Sequence, residues 1–185
     1  QVRHAFRLLW NCPRAPAGTL EIARYFQGLT DNVDGNIYNE EWPEPEANPL
    51  ITSLFGLTST APNDGDQTSW CSAFASFVLN AAGKKSKYTA WALGYRNYGP
   101  RRDEPGQGEN LPQPGDIVLF RRLNAEGVER GGHIGFFVSE TEGAITVLGG
   151  NQGPAGRGAV TESVFQRRSR TMPLVACYAP EAEHA

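Results

Sequence analysis

Cys71 and His133 are the residues whose types and surroundings point to chemistry. Cys71 stands in Asp66-Gln67-Thr68-Ser69-Trp70-Cys71-Ser72-Ala73-Phe74, where a polar stretch turns into an apolar helical pattern. The thiolate is the nucleophilic form of cysteine, and the first turn of a helix favours it. The helix dipole is positive there, and several backbone N–H groups have no partner within the helix. The same N–H groups suit the oxyanion of a tetrahedral intermediate. His133, in Gly131-Gly132-His133-Ile134-Gly135, is the interior histidine; His4 and His184 lie at the chain ends and are poor candidates. A thiol and an imidazole together make the nucleophile and general base of acyl transfer. The glycines around His133 let a substrate backbone come close. Taken alone, a cysteine reads more simply as a buried packing residue, and a histidine as a satisfied core or surface side chain. Here the polar approach and the helix start favour the reactive reading.

A catalytic imidazole needs a group that holds its second nitrogen. Asn151, in Leu148-Gly149-Gly150-Asn151-Gln152, is the first candidate, because it ends the strand expected to pair with the His133 strand. Gln152 is the second, and its side chain is also suited to the oxyanion region. An Asn after two glycines is equally an ordinary turn residue. There is no His/Cys/Asp cluster with ligand spacing and no glycine-rich phosphate loop after a strand, so no metal and no cofactor are expected.

The elements that must position these groups follow from periodicity and punctuation. Residues 17–29 read as a helix that Thr19 could cap, and 31–46 as a polar surface loop. Asn48-Pro49 opens a short helix, with Asn as cap and Pro in the first helical position. The clearest helix spans 70–82, capped by Thr68 or Ser69 and ended by Gly83, with Cys71 on the inward face of Phe74, Phe77, Val78 and Ala81. Residues 88–98 are a candidate short helix. From Pro112 the pattern turns to strands at 117–120, 133–139, 144–148, 160–165 and 174–178. Helices first and an antiparallel meander afterwards is an α+β layout, with a helical part over about 17–98 and a sheet part over about 112–179 of a single domain, 1–185.

Four motifs carry a resemblance. Trp70-Cys71-Ser72-Ala73-Phe74, Pro114-Gly115-Asp116-Ile117-Val118, Gly132-His133-Ile134-Gly135-Phe136 and Leu148-Gly149-Gly150-Asn151-Gln152 resemble those of the CHAP and NlpC/P60 cysteine peptidoglycan hydrolases. Glu21-Ile22-Ala23-Arg24, Asn48-Pro49-Leu50-Ile51 and Tyr88-Thr89-Ala90-Trp91 are similar to segments of one bacterial branch, and the likeness is collinear from about residue 20 to 178. The resemblance implies a papain-like α+β fold and cleavage of amide bonds in bacterial cell wall. It carries Cys71 over as nucleophile, His133 as base and Asn151 as third polar residue. Many CHAP domains place a glutamate two residues before the asparagine; Gly149 stands there, so a Cys-His-Asn arrangement is the simpler reading. Trp70, Trp91, Tyr95 and Tyr98 are candidates to line the cleft and stack on sugar or peptide stems, with ordinary aromatic packing an even alternative for each. Arg96, Arg101 and Arg102 are candidates to meet stem-peptide carboxylates, though surface solubility is the simpler role for each.

Bulk properties exclude other classes. The 185 residues carry a net charge of -3, which argues against a general nucleic-acid binder. No apolar run approaches the length of a membrane span. The first residues form no signal peptide, and the chain does not begin with Met, so the compartment stays open. Three cysteines make a disulfide framework unexpected; Cys177 reads as a small packing residue, and a Cys12–Cys177 bridge requires the chain ends to meet. The function expected is a stem-peptide endopeptidase or N-acetylmuramoyl-L-alanine amidase, acting in the bacterial periplasm or wall after export or injection. The settings are wall remodelling, phage lysis, or an antibacterial toxin, which would need an immunity protein. The rivals are an inactive wall-binding module and a cysteine acyltransferase or protease on the same scaffold. The loops 31–46 and 95–110 are where specificity is expected.

Overall fold

Asn48 and Pro49 start a helix as their order dictates. The Leu50 N–H donates to Asn48 Oδ1 at 2.9 Å, and Pro49 takes a first-turn position where its missing N–H costs nothing. The computed structural model describes residues 1–102, 111–153 and 157–183. Its α-helices are α1 (Val2–Asn11), α2 (Thr19–Gln27), α3 (Pro49–Leu54) and α4 (Cys71–Ala81). Five strands follow: β1 (Ile117–Leu123), β2 (Glu129–Thr141), β3 (Ala144–Gln152), β4 (Ala159–Gln166) and β5 (Leu174–Tyr178). They form one antiparallel sheet in the order β4-β3-β2-β1-β5, so β1 to β4 are successive neighbours and β5 returns to the free edge of β1. This is the expected α+β layout with five strands.

Side chains alternate between the two faces of the sheet. Ile117, Leu119, Ile134, Phe136 and Leu148 join the main core with Phe26, Phe74 and Leu79 of the helices. Val118, Phe120, Phe137, Ile145, Val147 and Cys177 form a second core on the other face. The sheet curls over that second core, because Phe165 of β4 stacks on Phe120 of β1 at 4.6 Å although the two strands are not neighbours. Nine of the eleven residues of α4 are buried. A helix apolar nearly all round belongs inside, and α4 lies against β2 and β3.

Several local expectations are corrected. Residues 2–11 are helical, a segment not among the expected helices. Within 88–98 only a 3₁₀ turn forms, at Ala92–Tyr95. Thr19 is the first residue of α2 rather than its cap, and its Oγ1 donates to the Gly115 carbonyl at 2.7 Å. Neither Thr68 nor Ser69 caps α4; Trp70 holds the cap position with no side-chain bond. All three cysteines are buried and none is in a disulfide, so the Cys12–Cys177 bridge does not form.

Candidate active site

Cys71 is the first residue of α4, and that helix rests on the strands that carry His133 and the Leu148–Gln152 motif. Cys71, His133, Asn151 and Gln152 line one pocket of about 540 Å³. Cys71 is 5% exposed and His133 8%, so each meets solvent only through a sliver of surface at the pocket.

Burial sets the electrostatics. It pushes the Cys71 thiol above its ordinary value, against backbone N–H groups of Ile134, Ser72 and Cys71 itself and the cation of Arg122. The helix start was expected to favour the thiolate; here desolvation outweighs it. Burial also pulls the His133 imidazole down to about 4, with the Gln152 hydrogen bond opposing and the Arg122 cation assisting. Phe165 lies flat against the imidazole at 5.4 Å. The thiol and the imidazole that share the pocket are therefore both neutral at rest.

Asn151 was expected to hold that imidazole, and the structure corrects this: Gln152 Oε1 lies 2.9 Å from His133 Nε2. The cause is a β-bulge. On β4 the pairing steps from Thr161 to Ala159 while on β3 it steps from Gly149 to Gln152, so β3 holds one residue more. Asn151 absorbs the extra residue in the left-handed region, at φ 57°. Regular alternation would put Asn151 on the His133 face; the bulge puts Gln152 there. In the orientation its neighbours satisfy, the Asn151 amide donates to Glu41 Oε1 at 3.3 Å and accepts from the Trp70 N–H at 3.1 Å. Gly149 makes room for Gln152, and Gly150 for Trp70. A Cβ on Gly149 would lie 3.2 Å from Gln152 Oε1, and one on Gly150 would lie 2.4 Å from Trp70 Cζ3.

The expected aromatic lining is not formed. Trp70 and Tyr95 are fully buried. Trp70 Nε1 donates to Glu41 Oε1 at 2.9 Å, and the Tyr95 hydroxyl bonds Ser76 and Ser86. Tyr98 is buried against Tyr95, and Trp91 is exposed; neither lines the pocket. Arg96 pairs with Glu129 and Arg102 with Asp116, and none of Arg96, Arg101 and Arg102 lines the pocket. A Cβ on Gly132 would meet Leu93 and one on Gly135 would meet Val147; Gly132 lines the pocket, whereas Gly131 and Gly135 do not.

Sequence reasoning missed two charged residues of the pocket wall, Glu41 and Arg122. Glu41 comes from the loop 31–46, where specificity was expected; no local pattern tied it to Cys71. Residues 103–110 of the other expected specificity loop, and His184, lie outside the described residues. Among the described residues no group of three or more His, Cys, Asp or Glu could hold a metal ion, and no helix is long and apolar enough to cross a membrane.

The comparisons with known proteins bear on this geometry. Residues 63–151, from the approach to Cys71 through Asn151, match the family model of the CHAP domain. No curated protein and no solved structure matches the chain.

Proposed function

From the match of residues 63–151 to the CHAP domain model, we propose that the chain is a cysteine hydrolase cutting amide bonds in bacterial peptidoglycan, with residues 1–185 acting as one catalytic unit. The observation that carries the reading is the free thiol of Cys71 in one pocket with an imidazole held by a fully committed amide. Gln152 Nε2 donates to the carbonyls of Val147 (3.2 Å) and Thr161. Its Oε1 is thus an acceptor, His133 Nε2 must carry the proton between them, and Nδ1 keeps a free lone pair.

In this reading the Cys71 sulfur attacks the amide carbonyl as its proton passes to His133 Nδ1. The tetrahedral intermediate collapses, the C–N bond breaks, and the amine leaves with that proton. Water then adds to the thioester, giving up a proton to His133, and the C–S bond breaks to release the acid and restore the thiol. The Trp70 N–H is taken by Asn151, which leaves the Cys71 N–H at the start of α4 as the nearer oxyanion donor. The substrate bond is either within the stem peptide or between muramic acid and its first alanine. The site of action is the periplasm or wall, reached by export or injection. In a toxin, an immunity protein would cover this pocket.

Digestion of defined muropeptides tests the proposal. Wild type is expected to release a new amine and a new carboxylate from one bond, identified by mass, and Cys71→Ala to release neither. Full lysis of purified sacculi by Cys71→Ala would remove the mechanism.

A further inference from the structure

The described wall of the pocket carries two formally charged side chains besides its reacting groups, and they are not alike. Glu41 is buried and its carboxylate is spent on Trp70 Nε1, the Gly158 N–H at 2.7 Å and the Asn151 amide. Arg122 is exposed, and its guanidinium has no hydrogen bond or ion pair with a described residue. It sits on β1 two residues beyond Phe120, which pairs with His133, so alternation puts Arg122 on the same face as the imidazole. Its charge reaches both Cys71 and His133. The rest of the lining mixes the polar Gln67, Ser69 and Ser163 and glycines with the apolar Phe165 and Met172.

We propose that Arg122 reads a free carboxylate on the substrate residue flanking the scissile amide, so that the pocket takes acidic stem peptides in preference to their amidated forms. The proposal rests on the peptidoglycan reading and deepens it. A guanidinium presents a planar fork of donors that matches a carboxylate with two parallel bonds, and a neutral carboxamide meets that fork with one acceptor and a repelling N–H. A cation with no hydrogen bond or ion pair to a described residue, on the wall of a pocket whose thiol and imidazole are neutral, has no evident structural duty. Stem peptides offer such carboxylates on their γ-linked glutamate and on their diamino acid.

The test uses three muropeptides: all carboxyls free, the glutamate carboxyl amidated, and the diamino-acid carboxyl amidated. For wild type, one of the two amidations is expected to lower kcat/KM about tenfold, mainly through KM, the size of a charge-assisted hydrogen bond. Arg122→Gln is expected to erase that difference, Arg122→Lys to keep part of it, and added salt to shrink it in wild type. Indifference of wild type to both amidations, or a difference that survives in folded Arg122→Gln, would overturn the proposal. Circular dichroism and Tm establish folding of both variants. If wild type cleaves none of the three, the hydrolase reading fails, and binding to Cys71→Ala decides the carboxylate question separately. Tighter binding of the free acid, lost in Cys71→Ala/Arg122→Gln, supports the inference; equal binding of all three defeats it.

Discussion

Gln152 Oε1 is 2.9 Å from His133 Nε2, and the same amide spends its nitrogen on the carbonyls of Val147 and Thr161. That double commitment fixes the polarity of the pair. A glutamine that must donate twice elsewhere can only accept from the imidazole, so one tautomer of His133 is selected without any carboxylate. The lack of a charge also matters: an amide steadies a positively charged imidazolium less than an acid would. This agrees with an imidazole that burial has pulled down to about 4.

Gln152→Leu removes the acceptor while keeping the bulk. We expect kcat to fall about 10²-fold, the lower end of what positioned proton transfer contributes, with KM nearly unchanged. Asn151→Leu should instead cost mainly stability, because its amide ties Glu41 to Trp70 rather than holding His133. Steady-state kinetics beside thermal melts of the two variants checks the division. Equal kinetic losses would mean that the bulge does not separate their roles.

The pH profile follows from the neutral resting pair. His133 accepts a proton only when neutral, and its folded value is about 4. The acid limb of kcat/KM should therefore rise through about pH 4 and be flat by neutrality. Burial raises the Cys71 thiol, so no loss through thiolate formation is expected below the ordinary thiol range. A bell centred on a preformed thiolate–imidazolium pair would need the opposite shifts. An acid limb with its midpoint near 6.5 would refute the neutral pair.

The same shift is a statement about stability. The folded value of His133 is lowered from 6.5 to about 4, so the fold favours the neutral ring. That contribution is complete above pH 6.5 and is lost as pH falls from there through about 4, on the order of 3 kcal/mol in all. His133→Gln, which cannot ionise, should flatten this part of the curve of unfolding free energy against pH. A wild-type curve equally flat between pH 6.5 and 4 would contradict the burial argument.

The parts of this molecule that could be read before its coordinates are those set by local pattern. The start of α3 was written in Asn48-Pro49, the two residues that share the pocket, Cys71 and His133, were marked by a helix start and an interior histidine, and the strands by apolar runs between turn residues. What was hidden depends on backbone events or distant segments. Asn151 and Gln152 exchange roles because one residue adopts a left-handed conformation, and no periodicity rule reports a bulge. Glu41 reaches Trp70 across the tertiary fold. Helix α1 was written in the pattern and went unread: Val2, Ala5, Phe6, Leu8, Leu9 and Trp10 share one broad face, although only Ala5 of these is fully buried and Val2, Phe6 and Trp10 are exposed.

The paired glycines of β3 should fail in different ways. A Cβ on Gly150 would come within 2.4 Å of Trp70 Cζ3 and 2.8 Å of Phe74 Cβ, both deep in the core. Gly150→Ala should then cost about 1–3 kcal/mol through overpacking and lower Tm by several degrees. At Gly149 the nearest atom is Gln152 Oε1 at 3.2 Å, the movable end of a side chain. Gly149→Ala should displace that oxygen from His133 and reduce kcat more than its change in Tm would suggest. Melts and kinetics of both variants give the comparison; a Gly149→Ala enzyme of full kcat would show that Gln152 tolerates the displacement.

Glu41 joins three segments around Cys71. Its two oxygens accept from Trp70 Nε1, just before Cys71, from the Gly158 N–H at the head of β4, and from the Asn151 amide in the bulge. Its own N–H donates to the Gly158 carbonyl at 2.8 Å, so the loop is stitched to β4 by main chain as well. Truncation would strand these donors, at about 1–3 kcal/mol for each that water does not reach. Since Glu41 borders the pocket, water can enter and soften part of that loss. Glu41→Gln is the sharper test, because it keeps the volume but turns an N–H toward groups that are themselves donors. We expect Glu41→Gln to lose stability and kcat together, since the Trp70 ring and the Asn151 amide both move when the acceptor is lost. Amide exchange at Gly158 should speed up in the same variant. Unchanged melting and unchanged exchange would mean that the main-chain bonds alone hold this wall, and that the carboxylate faces the ligand instead.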